Sequence, residues 1–195
     1  MARGPRISYP GAVFHVLNRF VDKHPFFKDD SDYSYFLNIY FQEAKANKII
    51  TYAYSLMPNH FHIILETQTG NISKFLQRFL TRVAQQLNKK YNRTGHLFQG
   101  RSKTLLIQSE IYFQTAVAYV LLNSIKAGLS KDVYSYKWNS VKKTLDYYDN
   151  TLNKNELFFR LFNGYYSIKE GMNKFNKWLK TLNIEENDEI FRNNH

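Results

Sequence analysis

The chain has 195 residues, 44% of them hydrophobic, with 16 Phe, 15 Tyr and 2 Trp against only 8 Gly and 4 Pro. That composition suits one domain with its own packed core and excludes a globally disordered or fibrous chain. No cysteine is present, so disulfides, thiolate metal sites and thiol nucleophiles are excluded. No apolar run nears the ~20 residues that span a bilayer, and the opening Met1-Ala2-Arg3-Gly4-Pro5-Arg6 leads into no apolar signal core. The expectation is a soluble, cytoplasmic protein without a membrane partner. Its 27 Lys and Arg outweigh 16 Asp and Glu to give a net charge of +11, which points to a polyanionic partner, nucleic acid before membrane.

In chain order, residues Ala12 to Arg19 alternate as a strand. The polar stretch Asp29-Asp30-Ser31-Asp32 starts a helix whose Tyr33, Phe36, Leu37, Tyr40, Phe41 and Ala44 have helical spacing. Residues Ile49 to Met57 are rich in β-branched and aromatic residues, and Pro58-Asn59 joins them to His60 through Glu66 as a tight hairpin. From Asn71, apolar residues recur at Ile72, Phe75, Leu76, Phe79, Val83, Leu87 and Tyr91, a long amphipathic helix with an outer stripe that includes Lys74, Arg78 and Arg82. Gly95 to Arg101 form a turn before an edge strand, Ser102 to Ile107, and Ser109 caps a helix that runs to about Ala127, with Lys126 and Gly128 suited to its C-terminal end. The order β, α, β, β, α, β, α predicts an α+β, ferredoxin-like sandwich, an antiparallel sheet with helices on one face. Residues Lys131 to Asn150, with Tyr134, Tyr136, Trp138, Tyr147 and Tyr148, wrap the surface. Residues 151–195 form a C-terminal helical extension to the 1–150 domain, two short helices broken at Asn163-Gly164 and a polar tail from Ile184.

The positive charge is concentrated. Between Glu66 and Glu110 there is no acidic residue, whereas Lys74, Arg78, Arg82, Lys89, Lys90, Arg93, Arg101 and Lys103 all lie there. These residues, with Lys126, are the candidate phosphate contacts; the alternative is a solvated helix face. His96 and Gln99 either touch bases or shape the turn.

His60 and His62 stand two apart on a strand, so both imidazoles project from one face while Phe61 points to the other. Two neutral imidazoles are half of a divalent-metal site, or a pair merely packed or hydrogen-bonded. On the helix after Ser109, Tyr112, Ala116, Tyr119, Asn123 and Lys126 share one stripe, which stacks Tyr119 and Asn123 one turn apart. A phenol is a poor nucleophile near its usual pKa of about 10 and needs a metal or base beside it. With His60, His62 and the Asn123 amide oxygen on an ion, Tyr119 would aim at a bound phosphorus; otherwise it is an amphipathic core tyrosine. Glu66 lies on the same strand face, either orienting a ligand or metal-bound water or facing solvent.

Leu56-Met-Pro-Asn-His-Phe-His-Ile-Ile-Leu-Glu66, Gly95-His-Leu-Phe-Gln-Gly-Arg101 and Tyr119-Val-Leu-Leu-Asn-Ser-Ile-Lys-Ala-Gly-Leu129 closely resemble the HUH-type single-tyrosine transposases, above all the REP-associated tyrosine transposase branch. The opening Met1 to His15 is similar as well, so the resemblance spans about residues 1 to 140 in ordered blocks. It implies a ferredoxin-like fold, His60 and His62 as metal ligands, Tyr119 as the nucleophile, and Asn123 at the position that completes the metal site. It also implies one Mg²⁺ or Mn²⁺ per active site, no small-molecule cofactor, and single-stranded DNA with a hairpin as substrate, handled by a monomer or a homodimer. Asn123-Ser124-Ile125-Lys126-Ala127 departs from the family's usual Asn-Pro-Val-Arg-Ala; Lys keeps the charge, and losing Pro alters helix geometry more than chemistry. The expected reaction is strand cleavage and rejoining by transesterification through a 5′-phosphotyrosine. The rival is a non-catalytic relative that holds hairpin DNA or RNA. A three-carboxylate, two-metal transposase is disfavoured because the one acidic cluster, Asp29 to Asp32, reads as a helix start.

Overall fold

A computed structural model describes residues 6–21, 25–146 and 148–183. The opening block before Arg6, Tyr147 and the tail from Ile184 lie outside the described residues. The elements are β1 (Ala12–Arg19), α1 (Asp30–Ala46), β2 (Ile49–Met57), β3 (His60–Thr67), α2 (Ile72–Lys90), β4 (Lys103–Ile107), α3 (Glu110–Lys126), α4 (Val141–Leu145), α5 (Lys154–Phe162) and α6 (Ile168–Leu179). The four strands form one sheet in the order β2-β3-β1-β4, every neighbouring pair antiparallel. The acidic cluster is the helix start the sequence predicts: Asp29 caps α1, and Asp32 returns the bond in a capping box.

Strand alternation divides the core in two. Phe14 and Val16 of β1 and Phe61, Ile63 and Leu65 of β3 point to the face covered by α1 and α2. Val13, Tyr52, Ala53, Ile64 and Ile107 point the other way, against Phe113, Ala116, Val117, Val120 and Leu121 of α3 and Leu157, Phe158 and Phe175 of α5 and α6. The antiparallel α+β sandwich is the one expected, but the expectation that the helices share one face holds for α1 and α2 alone. The reason is that β2 and β3 are buried at nearly every position, so both faces need cover and α3 supplies the second.

Three local devices fix the geometry of the second face. A bulge between Thr51 and Ala53 of β2 turns both Tyr52 and Ala53 toward α3. The Tyr52 hydroxyl donates to Glu66 at 2.8 Å, and Arg160 of α5 donates to Glu66 at 3.0 Å and to Tyr52 at 3.2 Å. Residues 136–140 run along the open edge of β2, where Leu56 N–H donates to Trp138 O at 2.9 Å and Ser140 N–H donates to Tyr54 O at 3.0 Å. That strap removes an exposed strand edge. No helix among the described residues is long and apolar enough to cross a membrane.

Candidate active site

The Pro58-Asn59 turn is held in place by its own carbonyls. Phe26 N–H donates to Pro58 O and Phe20 N–H to Asn59 O, both at 2.9 Å, so β3 starts at a fixed point and His60 is its first residue. Phe61 is fully buried in the core under α1 and α2, which commits His60 and His62 to the opposite face. Their ring centroids are 5.1 Å apart.

The helix that covers them is capped by Ser109, whose hydroxyl accepts from Tyr112 N–H at 3.2 Å. Small residues, Ala116 and Ala118, are buried along α3. Its stripe brings Tyr119 beside the histidines: the Tyr119 and His62 ring centroids are 5.6 Å apart, edge to face. One turn on, Asn123 is 7% exposed, and its amide N–H donates to Tyr119 O at 2.7 Å, which leaves the amide oxygen as the acceptor end. α3 runs unbroken through Ser124. The Lys126 ammonium lies 5.5 Å from the centroid of the Tyr119 ring.

Both histidines are held neutral. Burial, followed by the nearby Arg19 cation, brings His60 down to about 4. Burial depresses His62 well below the ordinary imidazole range, and His15, His60, Arg19 and Lys126 act in the same direction. A neutral imidazole has one lone-pair nitrogen to offer. On each ring Nδ1 is already engaged: His60 Nδ1 lies 2.6 Å from Asn59 Oδ1, and His62 Nδ1 lies 2.8 Å from His15 Nε2. The nitrogen left on each for a metal is Nε2. Two neutral imidazoles with a buried amide oxygen are a donor set that fits a divalent ion. Among the described residues no three of His, Cys, Asp and Glu gather into a metal-binding group.

Two residues at this site were not singled out from the sequence, His15 and Arg19. Alternation along β1 places His15, Leu17 and Arg19 on one face, but only the register reveals what that face meets: Leu17 opposes His62 and Arg19 opposes His60. Leu17, Asn18, Arg19, Gln99, Arg101 and Lys103 line an open hollow of about 390 Å³ at this end of the sheet. Gln99 is also structural, its N–H donating to Arg19 O at 2.8 Å, while the Asn18 amide ties Gly100 O and the Ser102 hydroxyl at 3.2 and 3.0 Å. His96 lies in a neighbouring hollow between the turn and Leu80, Thr81 and Ala84 of α2.

The other predicted phosphate contacts are elsewhere, because α2 packs on the far face of the sheet. Arg78 and Arg82 pair with Glu43 of α1 at 3.3 and 2.8 Å. Lys90 bridges Asp29 and Asp32 at 2.8 and 2.6 Å, and the Arg93 guanidinium lies over the Phe26 ring at 4.2 Å. Lys74 and Lys89 are exposed on the outside of α2. Glu66, on the histidine face, does not face solvent; its carboxylate is held by Tyr52 and Arg160.

A family model described as "Transposase IS200 like" matches residues 8–123. Among solved structures, a REP-associated tyrosine transposase bound to a REP hairpin is similar in fold, with a TM-score of 0.63 and 14% identity over 74% of this chain and 86% of that one. A putative transposase from Deinococcus radiodurans R1 is 16% identical over 66% of this chain and 98% of that one, with a TM-score of 0.44. The tRNA(His) guanylyltransferase of Saccharomyces cerevisiae is 12% identical over 96% and 79%, with a TM-score of 0.45. No curated protein matches the sequence.

Proposed function

The chain belongs to the IS200-like transposase family, enzymes that cut and rejoin DNA, and from that premise we propose that it does so with Tyr119 as nucleophile on single-stranded DNA beside a hairpin. The observation that carries this reading is the 5.6 Å approach of the Tyr119 ring to His62, itself 5.1 Å from His60. His60, His62 and the Asn123 amide oxygen would hold a Mg²⁺ or Mn²⁺ ion, whose chemistry when bound is to polarise the scissile phosphate and offset charge on its oxygens.

The Tyr119 oxygen attacks phosphorus and gives up its proton, the bond from phosphorus to the 3′ oxygen breaks, and that oxygen leaves as a 3′-OH. The 5′-phosphate stays on the tyrosine. A second 3′-OH then attacks the same phosphorus and returns the phenol, so the strands rejoin without a nucleotide cofactor. The Lys126 ammonium above the ring favours negative charge at the reacting centre. Arg19, Arg101 and Lys103 of the adjoining hollow receive the phosphates of the strand on either side. The cations of α2, on the far face, supply the longer-range field that draws DNA in. Because Tyr119 and the histidines belong to one chain, a monomer has every group the reaction needs. The hairpin is assigned by analogy with the fold neighbour, whose structure contains one.

The test is a labelled hairpin-bearing single strand incubated with the protein and Mn²⁺ and run on a denaturing gel. A covalent complex is expected, absent with EDTA and absent for Tyr119→Phe, which keeps DNA binding. An adduct that survives in that variant overturns the nucleophile; no adduct with any strand leaves the non-catalytic binding protein as the better reading.

A further inference from the structure

His15 is fully buried on β1, beside a cluster of aliphatic and aromatic side chains. Burying a polar ring there is costly unless it is hydrogen-bonded. Its Nε2 lies 2.8 Å from His62 Nδ1. Its ring stacks on that of His62 at 5.1 Å and 28° and meets the Tyr119 ring edge-on at 6.0 Å. Packing on both sides thus fixes its rotamer.

The two proposed ligands differ in how their protons are placed. Asn59 Oδ1 can only accept, so His60 must carry its hydrogen on Nδ1 and present a lone pair on Nε2. The bond between His15 and His62 can run either way. If His15 donates, His62 keeps its own hydrogen on Nε2 and that nitrogen cannot bind a metal. If His15 accepts, His62 carries its hydrogen on Nδ1, and both ligands turn lone pairs from Nε2 to the same side.

We propose that His15 is a positioning residue that accepts from His62 Nδ1–H, holding the His62 ring and its tautomer so that Nε2 is ready for the divalent ion. The inference rests on the metal reading of His60 and His62. A partner that fixes the second nitrogen of a ligating histidine acts on metal affinity without touching the metal.

Two variants and one spectrum test it. In His15→Met, which removes the acceptor, Mn²⁺ binding followed by electron paramagnetic resonance should weaken roughly 10–100-fold, while metal-free DNA binding stays at the wild-type level. His15→Gln, whose side-chain oxygen reaches the place of Nε2, should restore affinity to within about threefold of wild type. Long-range ¹H–¹⁵N spectra of the metal-free wild-type rings should show His62 protonated on Nδ1, a readout independent of any variant's folding. A Met variant that binds Mn²⁺ as tightly as wild type, Met and Gln variants equally weak, or His62 protonated on Nε2 overturns the inference alone. If wild type takes up no Mn²⁺, or His62→Ala binds it undiminished, the metal reading falls and this inference falls with it.

Discussion

The two faces of the sheet are built from different chemistry. Under α1 and α2 the filling is aromatic: Phe79 has the rings of Phe36, Tyr40, Phe75 and Phe61 around it at 4.9, 5.3, 5.9 and 6.3 Å. Its buried hydroxyl on Tyr40 is matched by Thr51 at 2.8 Å. Its charges sit at the rim, where Glu43 meets two arginines and Lys90 meets two aspartates. Under α3 the filling mixes aliphatic chains with the Tyr52 and Phe113 rings toward Glu66, but it gives way to His15, His62 and Tyr119 toward Arg19. Both faces are packed, but the second trades apolar packing for neutral imidazoles at the end where cations gather.

The sharpest way to break that division is to empty the centre of the first face. Phe79→Ala removes a fully buried ring with four aromatic neighbours and should cost about 3–5 kcal/mol in urea unfolding. On the second face, Tyr119→Phe keeps the ring and removes only a hydroxyl, and should stay within about 0.5 kcal/mol of wild type. If the two variants lose equal stability, the faces are not specialised in this way.

Acid should separate the faces next. On the second face His60 is depressed to about 4 and His62 is depressed too, mainly by burial. The unfolded chain takes up these protons near pH 6.5, before the folded protein does. Stability is therefore full above about 6.5 and falls as the pH drops toward 4, by up to about 3 kcal/mol for His60. On the first face Asp29 and Asp32 are held below the usual carboxylate range; for Asp29 the largest cause is the Lys90 bond, and for Asp32 burial pushes upward but the bonds from Lys90, Tyr91 and the Lys28 and Asp29 backbone together outweigh it. Their contribution is present above about 4 and is lost only in stronger acid. Melts in EDTA between pH 7 and 4 should show wild type losing more than His60→Gln; identical curves would mean that the imidazole is not held neutral by the fold.

What was legible in the sequence was local. The hairpin through Pro58-Asn59, the Asp29 cap and the stripe that stacks Tyr119 on Asn123 depend on neighbours within a few residues, and the elements match them closely. What depended on pairing across the sheet was not legible. His15 and Arg19 belong to the site only because β1 lies beside β3 with Leu17 opposite His62 and Arg19 opposite His60. Glu66 gains its partner from α5, 94 positions away in sequence. Charge along the chain is likewise not charge in space. The stretch from Lys74 to Arg93 is free of acids along the chain, yet in space α1 brings Glu43, Asp29 and Asp32 to Arg82, Arg78 and Lys90.

The smallest effect expected is also the one that locates the DNA. A cation that contacts phosphate releases condensed counterions, so removing it lowers affinity and flattens the dependence on salt, by about 0.7 in log–log slope for a single strand. Arg19 and Lys103 line the hollow next to His62, whereas Lys74 and Lys89 stand exposed on the opposite side of the sheet. In fluorescence anisotropy with a hairpin-bearing strand in EDTA, Arg19→Gln and Lys103→Gln should each weaken binding about 5–10-fold at low salt and reduce the slope. Lys74→Gln and Lys89→Gln should change affinity less than about twofold at physiological salt, where a Debye length near 8 Å screens charges beyond the contact zone. The reverse ranking would put the DNA on α2 and leave Tyr119 facing away from its substrate. A cluster of basic residues in sequence becomes a binding surface only if the fold turns it toward the reacting group, and in the proposed reading β1 and β4 do that with fewer charges than α2 has.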